Sequence, residues 1–428
     1  MPLHLAATAV FDGLDSVPYL WPTLKVIPWL ALLYLIKGFF SGATNGSERN
    51  MHGKVVIVTG GTSGVGEEVV RNLASRGAQI VLLTQHALSD WFLVEFIDDM
   101  RRETGNQLIT AEQVNLLSLH SIRAFATKWI DNAPPRRLDL VVLCGNTLTP
   151  PRGGIKSTSE GIEVNWQVNY LANFHLLSIL SPALRAQPPD RDVRVIFGTC
   201  SSYLRGDLSH LDRPTPFKPS SRPHDDKPTD QTSTPRPSTE FSPANAFGTS
   251  KLALTTFALS YQKHLSAYAR PDKAPMNAKV ILVDPGLCRT PGTRRWLTFG
   301  SLVGLLLYLL LYPVWWLTLK SPLMGAQSFL YAAMEERFSR GAGGWLIKEC
   351  AQRPWGRVDV EDEAMQKRLW EYSEGMVQAA EKRAAEARKA EKQAEQEEKE
   401  TEEAARELRE YKEKVGKKEG SRRSRKAG

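Results

Sequence analysis

The 428-residue chain holds only four cysteines, Cys144, Cys200, Cys288 and Cys350. They are scattered, with no CxxC pair and no His/Cys cluster. That excludes a disulfide framework and a zinc ribbon and fits a reducing compartment. No metal site is expected. With 42% hydrophobic and 24% charged residues the chain as a whole is not disordered. Its length suits one or two domains plus appendages.

The net charge of +8 raises the question of a nucleic-acid partner. The distribution of charge answers it. Residues 381–428 carry 16 Lys/Arg against 13 Asp/Glu, and residues 417–428 carry six basic residues against one acid. An excess that is densest at a tail tip, without interleaved aromatics, argues against nucleic acid. It is compatible with a solvated end or with attraction to anionic lipid. The region 361–428, rich in Ala, Glu, Lys and Arg and without proline from Ala364 on, predicts a long charged helix. Pairs such as Glu395 with Lys399 and Glu410 with Lys414 support it.

Charge is missing from two apolar segments. Residues 26–36, VIPWLALLYLI, are too few to cross a bilayer as a helix, and no A-x-A cleavage site follows. They read as an anchor lying in one leaflet, within an N-terminal region 1–48. Residues 296–319 contain no charge at all, and Pro313 interrupts them. By length alone they read as a membrane span. The proline-rich stretch 213–243, with eight prolines in 31 residues, cannot build a core and reads as an excursion.

Between these appendages short β-branched runs alternate with helical stretches. The runs are 55–59, 80–83, 140–143, 193–197 and 280–283. This pattern predicts an α/β fold, a doubly wound parallel sheet of Rossmann type. Directly after the first run comes Thr59-Gly60-Gly61-Thr62-Ser63-Gly64-Val65-Gly66. Glycines allow a tight turn and a close approach of backbone to phosphate. The following helix aims its N-terminal amides at that anion.

TGGTSGVG resembles the glycine turn of the short-chain dehydrogenase/reductase superfamily. Asn115-Leu116 is similar to the Asp-Leu after the family's third strand. Gly161-x-Glu163 and Val168-Asn169-Tyr170-Leu171 resemble the retinol-dehydrogenase-like branch. Gly248-Thr249-Ser250-Lys251-Leu252 resembles the lysine motif, and Pro285-Gly286 with Arg289-Thr290 the end of the sixth strand. Together they span roughly residues 53–333. The resemblance implies a core over 49–292 closed by 324–360, with 293–323 as an apolar lid or membrane hairpin. It implies catalytic roles for Asn169, Ser201 and Lys251, with Ser202 the alternative serine. It assigns the cofactor to Gly60, Thr62, Ser63, Gly64, Val65, Gly66, Asn115, Gly145, Lys251, Pro285, Gly286 and Thr290.

One absence bears directly on that chemistry. The family's proton donor is a tyrosine four residues before the lysine, and here that position is Phe247. A phenyl ring has no proton to give. Tyr203 is a distant substitute, and a water held by Lys251 and Ser201 is another. Leu143-Cys144-Gly145-Asn146 stands where the family has Asn-Asn-Ala-Gly. The second strand ends in Leu83-Thr84-Gln85-His86 without an acid, which tilts the cofactor toward NADP and leaves NAD open.

The segment 296–319 lies between parts of one sheet, so a single crossing would split the domain. A bent hairpin dipping into one leaflet, with Pro313 at or near the bend, is expected instead. The chain is thereby similar to fungal oxidoreductases of lipid droplets and endoplasmic reticulum, with the core facing the cytosol. The expected function is hydride transfer between NADP(H) and a lipophilic alcohol or carbonyl. The competing expectation is a nucleotide-binding scaffold that has lost its proton donor. The family commonly pairs through its fourth and fifth helices, so a homodimer is one expected state.

Overall fold

The β-branched runs become the centre of one sheet. The computed structural model describes residues 20–150, 156–212 and 243–386, with 388, 389, 393 and 396 beyond them. The excursion at 213–242, the basic tip and the pairs Glu395–Lys399 and Glu410–Lys414 lie outside the described residues. The chain divides into two compact units, Met1–Glu374 and Gly375–Gly428. The described residues of the second are helical.

The first unit opens with helix α1 (Leu20–Ser41), which encloses the apolar run and Pro28. Strands β1 (Val55–Thr59), β2 (Gln79–Thr84) and β3 (Ile109–Gln113) alternate with helices α2 (Gly64–Ser75), α3 (Trp91–Thr104) and α4 (Leu119–Ile130). Strand β4 (Leu140–Leu143), helix α5 (Ala172–Arg185), β5 (Val193–Gly198), α6 (Pro243–Ser266) and β6 (Ala278–Asp284) follow. Three short helices, α7 (Pro291–Leu297), α8 (Leu302–Leu310) and α9 (Tyr312–Thr318), precede α10 (Pro322–Met334). The sheet ends with β7 (Trp345–Lys348) and β8 (Ala351–Arg353).

The strand order is β3-β2-β1-β4-β5-β6-β7-β8. All pairs are parallel except β7 with β8. All five residues of β1 and all four of β4 are buried, as continuous apolar strands covered on both faces require. The order reverses between β1 and β4. In open parallel sheets ligands bind at the carboxyl ends of strands at such a reversal.

On one face Val69, Val70 and Leu73 of α2 join Phe329, Leu330 and Ala333 of α10 in a single core. On the other, Phe257 of α6 meets Phe197 of β5 edge-on, with ring centroids 6.1 Å apart. Trp370, in the helical segment from 363, enters between α5 and α6. Its ring lies 5.5 Å from Phe174 and 5.7 Å from Phe257. The buried Tyr170 hydroxyl is hydrogen-bonded to Ser373.

His175 on α5 is buried, and burial lowers its pKa from 6.5 to about 4. The folded state therefore binds fewer protons than the unfolded chain between these values, so stability is lost as pH falls from 6.5 toward 4. The expected loss is on the order of 2–3 kcal/mol. Urea unfolding at pH 7 and pH 5 should show it, and His175→Gln should flatten the difference.

Candidate active site

The glycine turn joins β1 to α2 with left-handed backbone at Gly60 (φ 66°) and Gly64 (φ 61°). A β-carbon on Gly66 would lie 2.2 Å from the Gly60 carbonyl oxygen, and one on Gly60 would lie 2.7 Å from the Gly145 backbone. The glycines thus let the turn pack on itself and on the exit of β4. There Gly145 N donates to Thr59 Oγ1 at 3.1 Å. Ser63 is the exposed, extended N-cap of α2, and its side chain caps nothing. The first-turn amides of Gly64, Val65 and Gly66 consequently fit an external anion, reinforced by the helix dipole. Thr290 closes over the turn, its methyl 3.1 Å from where a Gly64 β-carbon would be. Thr290 also caps α7 by accepting from Thr293 N at 3.3 Å.

Asn115 stands after β3 and accepts from Leu117 N at 2.9 Å, forming a turn that carries Leu116 to Gly145. Asn169 is fully buried in a wide helical turn, Gln167–Leu171, just before α5. Such one-residue expansions are frequent at functional sites. Its amide accepts from Thr147 N (2.7 Å) and donates to Thr147 O (3.0 Å) and Ser250 Oγ (3.1 Å). It therefore ties the loop after β4 to the lysine helix.

Lys251 on α6 is 3% exposed, and its ammonium donates to Gly198 O at 2.9 Å. Burial lowers its pKa, opposed by the nearby Cys200, Cys144 and Asp284. Phe247, one helical turn earlier and half-buried, has its ring centroid 5.7 Å from that ammonium. Burial pushes the Cys144 thiol up to about 12, so it stays protonated.

Ser201 bonds two charged groups. Its hydroxyl donates to Asp284 at 2.6 Å and accepts from Lys348 Nζ at 2.9 Å. Lys348 is also paired with Asp284 at 3.3 Å. Asp284 is 4% exposed and accepts from Gly286 N, which holds the Pro285-Gly286 turn in place with Gly286 at φ 77°. The Tyr203 hydroxyl accepts from Gly356 N at 2.8 Å, away from Lys251 in sequence and in its bonding.

The structure thus assembles Gly60, Gly64, Gly66, Gly145 and Thr290 in one cradle, and links Asn169 through Ser250 to the helix of Lys251. Ser201 joins Asp284 and Lys348, and Asp284 is close enough to Lys251 to act on its charge. Asp284, Lys348 and Cys200 were not singled out from sequence. Asp284 was visible as the residue before Pro285-Gly286, whereas Lys348 enters only through its register opposite Asp284.

Residues 289–319 form an excursion closed at its base. Arg289 N donates to Lys320 O (2.8 Å), and Lys320 N to Leu287 O (3.0 Å). Both ends of the excursion therefore lie side by side. The bend between α8 and α9 falls at Leu311, with Pro313 in the first turn of α9, where its missing N–H breaks no helical bond. Helix α1 lies against α9, with Lys37 Nζ donating to Trp316 O at 2.6 Å and to Leu319 O at 3.3 Å. Among the described residues no helix is long and apolar enough to cross a membrane.

A parallel sheet with a phosphate-type cradle at its reversal and a buried lysine beside it defines a Rossmann-type protein of the kind that binds nicotinamide dinucleotides. Residues 54–201 match the short chain dehydrogenase family. The chain is 42% identical over 346 residues to uncharacterized oxidoreductase pbr1 of Schizosaccharomyces pombe, covering 81% of this chain and 87% of that one. It is 30% identical to human retinol dehydrogenase 13, covering 84% and 95%. A solved structure from Mycobacterium paratuberculosis shares the fold, with a TM-score of 0.52 at 20% identity over 79% of this chain and 98% of that one. The chain belongs to the short-chain dehydrogenase/reductase family of oxidoreductases, in its retinol-dehydrogenase-like branch.

Proposed function

We propose that the protein is a membrane-docked reductase or dehydrogenase that uses NADP(H) on a lipophilic alcohol or carbonyl. The carrying observation is the uncapped N-terminus of α2 behind the Gly60–Gly66 turn, with buried Lys251 across the reversal. Gly64, Val65 and Gly66 would hold the cofactor's phosphates, Thr62 and Ser63 would flank them, and Asn115, Gly145, Pro285, Gly286 and Thr290 would line the remainder. The absence of an acid after β2 favours NADP over NAD. The nicotinamide would supply or accept the hydride. Lys251 would hold its ribose, and Asn169 would keep the β4 loop and the lysine helix in register.

Reduction also needs a proton at the developing alkoxide. Phe247 offers none, so we assign that role to Ser201, whose hydroxyl is backed by the Lys348 ammonium and oriented by Asp284. The exposed apolar faces of α1, α8 and α9 would dip into one leaflet of a lipid-droplet or endoplasmic-reticulum membrane and admit an apolar substrate directly. Pairing of two copies through α5 and α6 would require displacing Trp370, which favours a single copy at that face.

Phe247 favours a second reading, a cofactor-binding scaffold without turnover. Fluorescence titration of NADPH and NADH on the detergent-solubilised full chain, with a panel of lipophilic aldehydes, separates the two. Binding with turnover is the expected result. Binding without turnover would leave the scaffold, and no binding would overturn both.

A further inference from the structure

At the base of the excursion lies a cavity of about 370 Å³, lined by Arg289, Thr290, Arg294, Leu305, Tyr308 and Tyr312, with others. It has a cationic end and an apolar end. The Arg289 guanidinium stands over Tyr312, 5.4 Å from the ring centroid, and its Nη1 is buried without a hydrogen-bond partner. A buried donor left unpaired is costly, which marks a place for an acceptor. Neither Arg289 nor Arg294 has an ion-pair partner among the described residues. No acid occurs between residues 285 and 334, nor between 16 and 47.

The surface around this cavity is apolar and open. Leu302, Val303 and Leu310 of the excursion are 85%, 77% and 71% exposed, and Trp29 and Phe39 of α1 are 67% and 82% exposed. The two segments that form it carry Lys25, Lys37, Arg294 and Arg295 and no carboxylate between residues 16 and 47 or 285 and 334. An apolar face whose own segments carry cations and no acid, with Glu349 held against Lys320 at its base, is complementary to a membrane whose headgroups are anionic.

We propose that the Arg289–Arg294 cavity binds the phosphate of an anionic membrane lipid, with the acyl chains running along Leu305 and Tyr308 into the exposed face. Arg289 supplies the forked donor, Arg294 the second charge, and Thr290 a hydroxyl at the rim. The site rests on the membrane-docking part of the function above and is independent of its redox part. Because Thr290 also closes over the glycine turn, a lipid seated here lies next to the cofactor cradle and the lid.

The test uses the full-length protein in vesicle flotation, with phosphatidylcholine alone and with phosphatidylcholine containing phosphatidic acid. The wild type is expected to bind the anionic vesicles at least about tenfold more tightly. Arg289→Gln with Arg294→Gln should abolish that preference while leaving binding to neutral vesicles and to NADPH unchanged. Lys25→Gln with Arg295→Gln removes the same charge outside the cavity and should retain most of the preference. Equal losses in the two double variants would reduce the effect to diffuse surface charge and overturn the site. Release of the wild type by inorganic phosphate or NADPH, or loss of NADPH binding in the cavity variant, would assign the cavity to a soluble phosphate instead. Binding to neutral vesicles with no anionic preference would overturn the site and leave the docking intact. Binding to neither would overturn both.

Discussion

Phe247→Tyr is expected to raise aldehyde turnover by about 10²–10⁴-fold, the usual contribution of a placed proton donor. Phe247 precedes Lys251 by one helical turn and is half-buried, so a phenol hydroxyl extends the ring without crowding a packed core. The ammonium 5.7 Å from the ring centroid favours the phenolate and lowers the phenol pKa. Turnover in the variant should therefore fall on the alkaline side once the phenol ionises and can no longer donate. Steady-state rates against pH, for wild type and variant side by side, measure both effects. Wild-type turnover through Ser201 is the baseline for this gain, and equal rates in the two proteins would show that Ser201 with Lys348 delivers the proton as well as a placed phenol. In that case Lys348→Met should remove the activity and leave NADPH affinity in place.

Gly66→Ala is expected to cost about 3 kcal/mol or more of stability, since overpacking forces the surrounding backbone to move. The added carbon would stand 2.2 Å from the Gly60 carbonyl oxygen and 2.9 Å from its carbon, and neither belongs to a flexible side chain. The turn must open to admit it, so NADPH affinity should fall at least tenfold together with the urea midpoint. Gly105→Ala separates strain from crowding. Gly105 ends α3 at φ 68° with open space around its β-carbon position, so only the left-handed backbone is penalised, by roughly 1–2 kcal/mol. Cofactor binding should be unchanged there. Equal behaviour of the two variants would show that the cradle tolerates expansion and that its close packing is not what shapes the site.

The site was legible where it is local. The turn from Thr59 to Gly66 declares itself because a strand, three spaced glycines and a helix are contiguous, and each glycine answers a steric demand nearby. Central strands were legible for the same reason. The runs 55–59 and 140–143 coincide with β1 and β4, since strands buried on both faces must be continuously apolar. Strand β3 was not singled out because it is an edge strand in which only Ile109 is fully buried. Strands β7 and β8 are four and three residues long; β7 forms by pairing with β6, some sixty residues earlier, and β8 by pairing with β7.

The chain's local chemistry therefore determined the fold class, the cradle, the buried lysine helix and the missing tyrosine. Tertiary structure decided which groups share a site. The resemblance gave Ser201 a catalytic role with Lys251, and the structure bonds its hydroxyl to Asp284 and Lys348, which the β6–β7 register brings together. Trp370 fills the groove between α5 and α6, although composition marked its region only as a charged helix. The unpaired guanidinium of Arg289 likewise exists only once the excursion folds back to Lys320 and seals its base. Local sequence sets backbone preferences and hydrophobic period, which act over a few residues. Charge pairing and cavity shape depend on contacts between distant segments, and only the closed fold creates them.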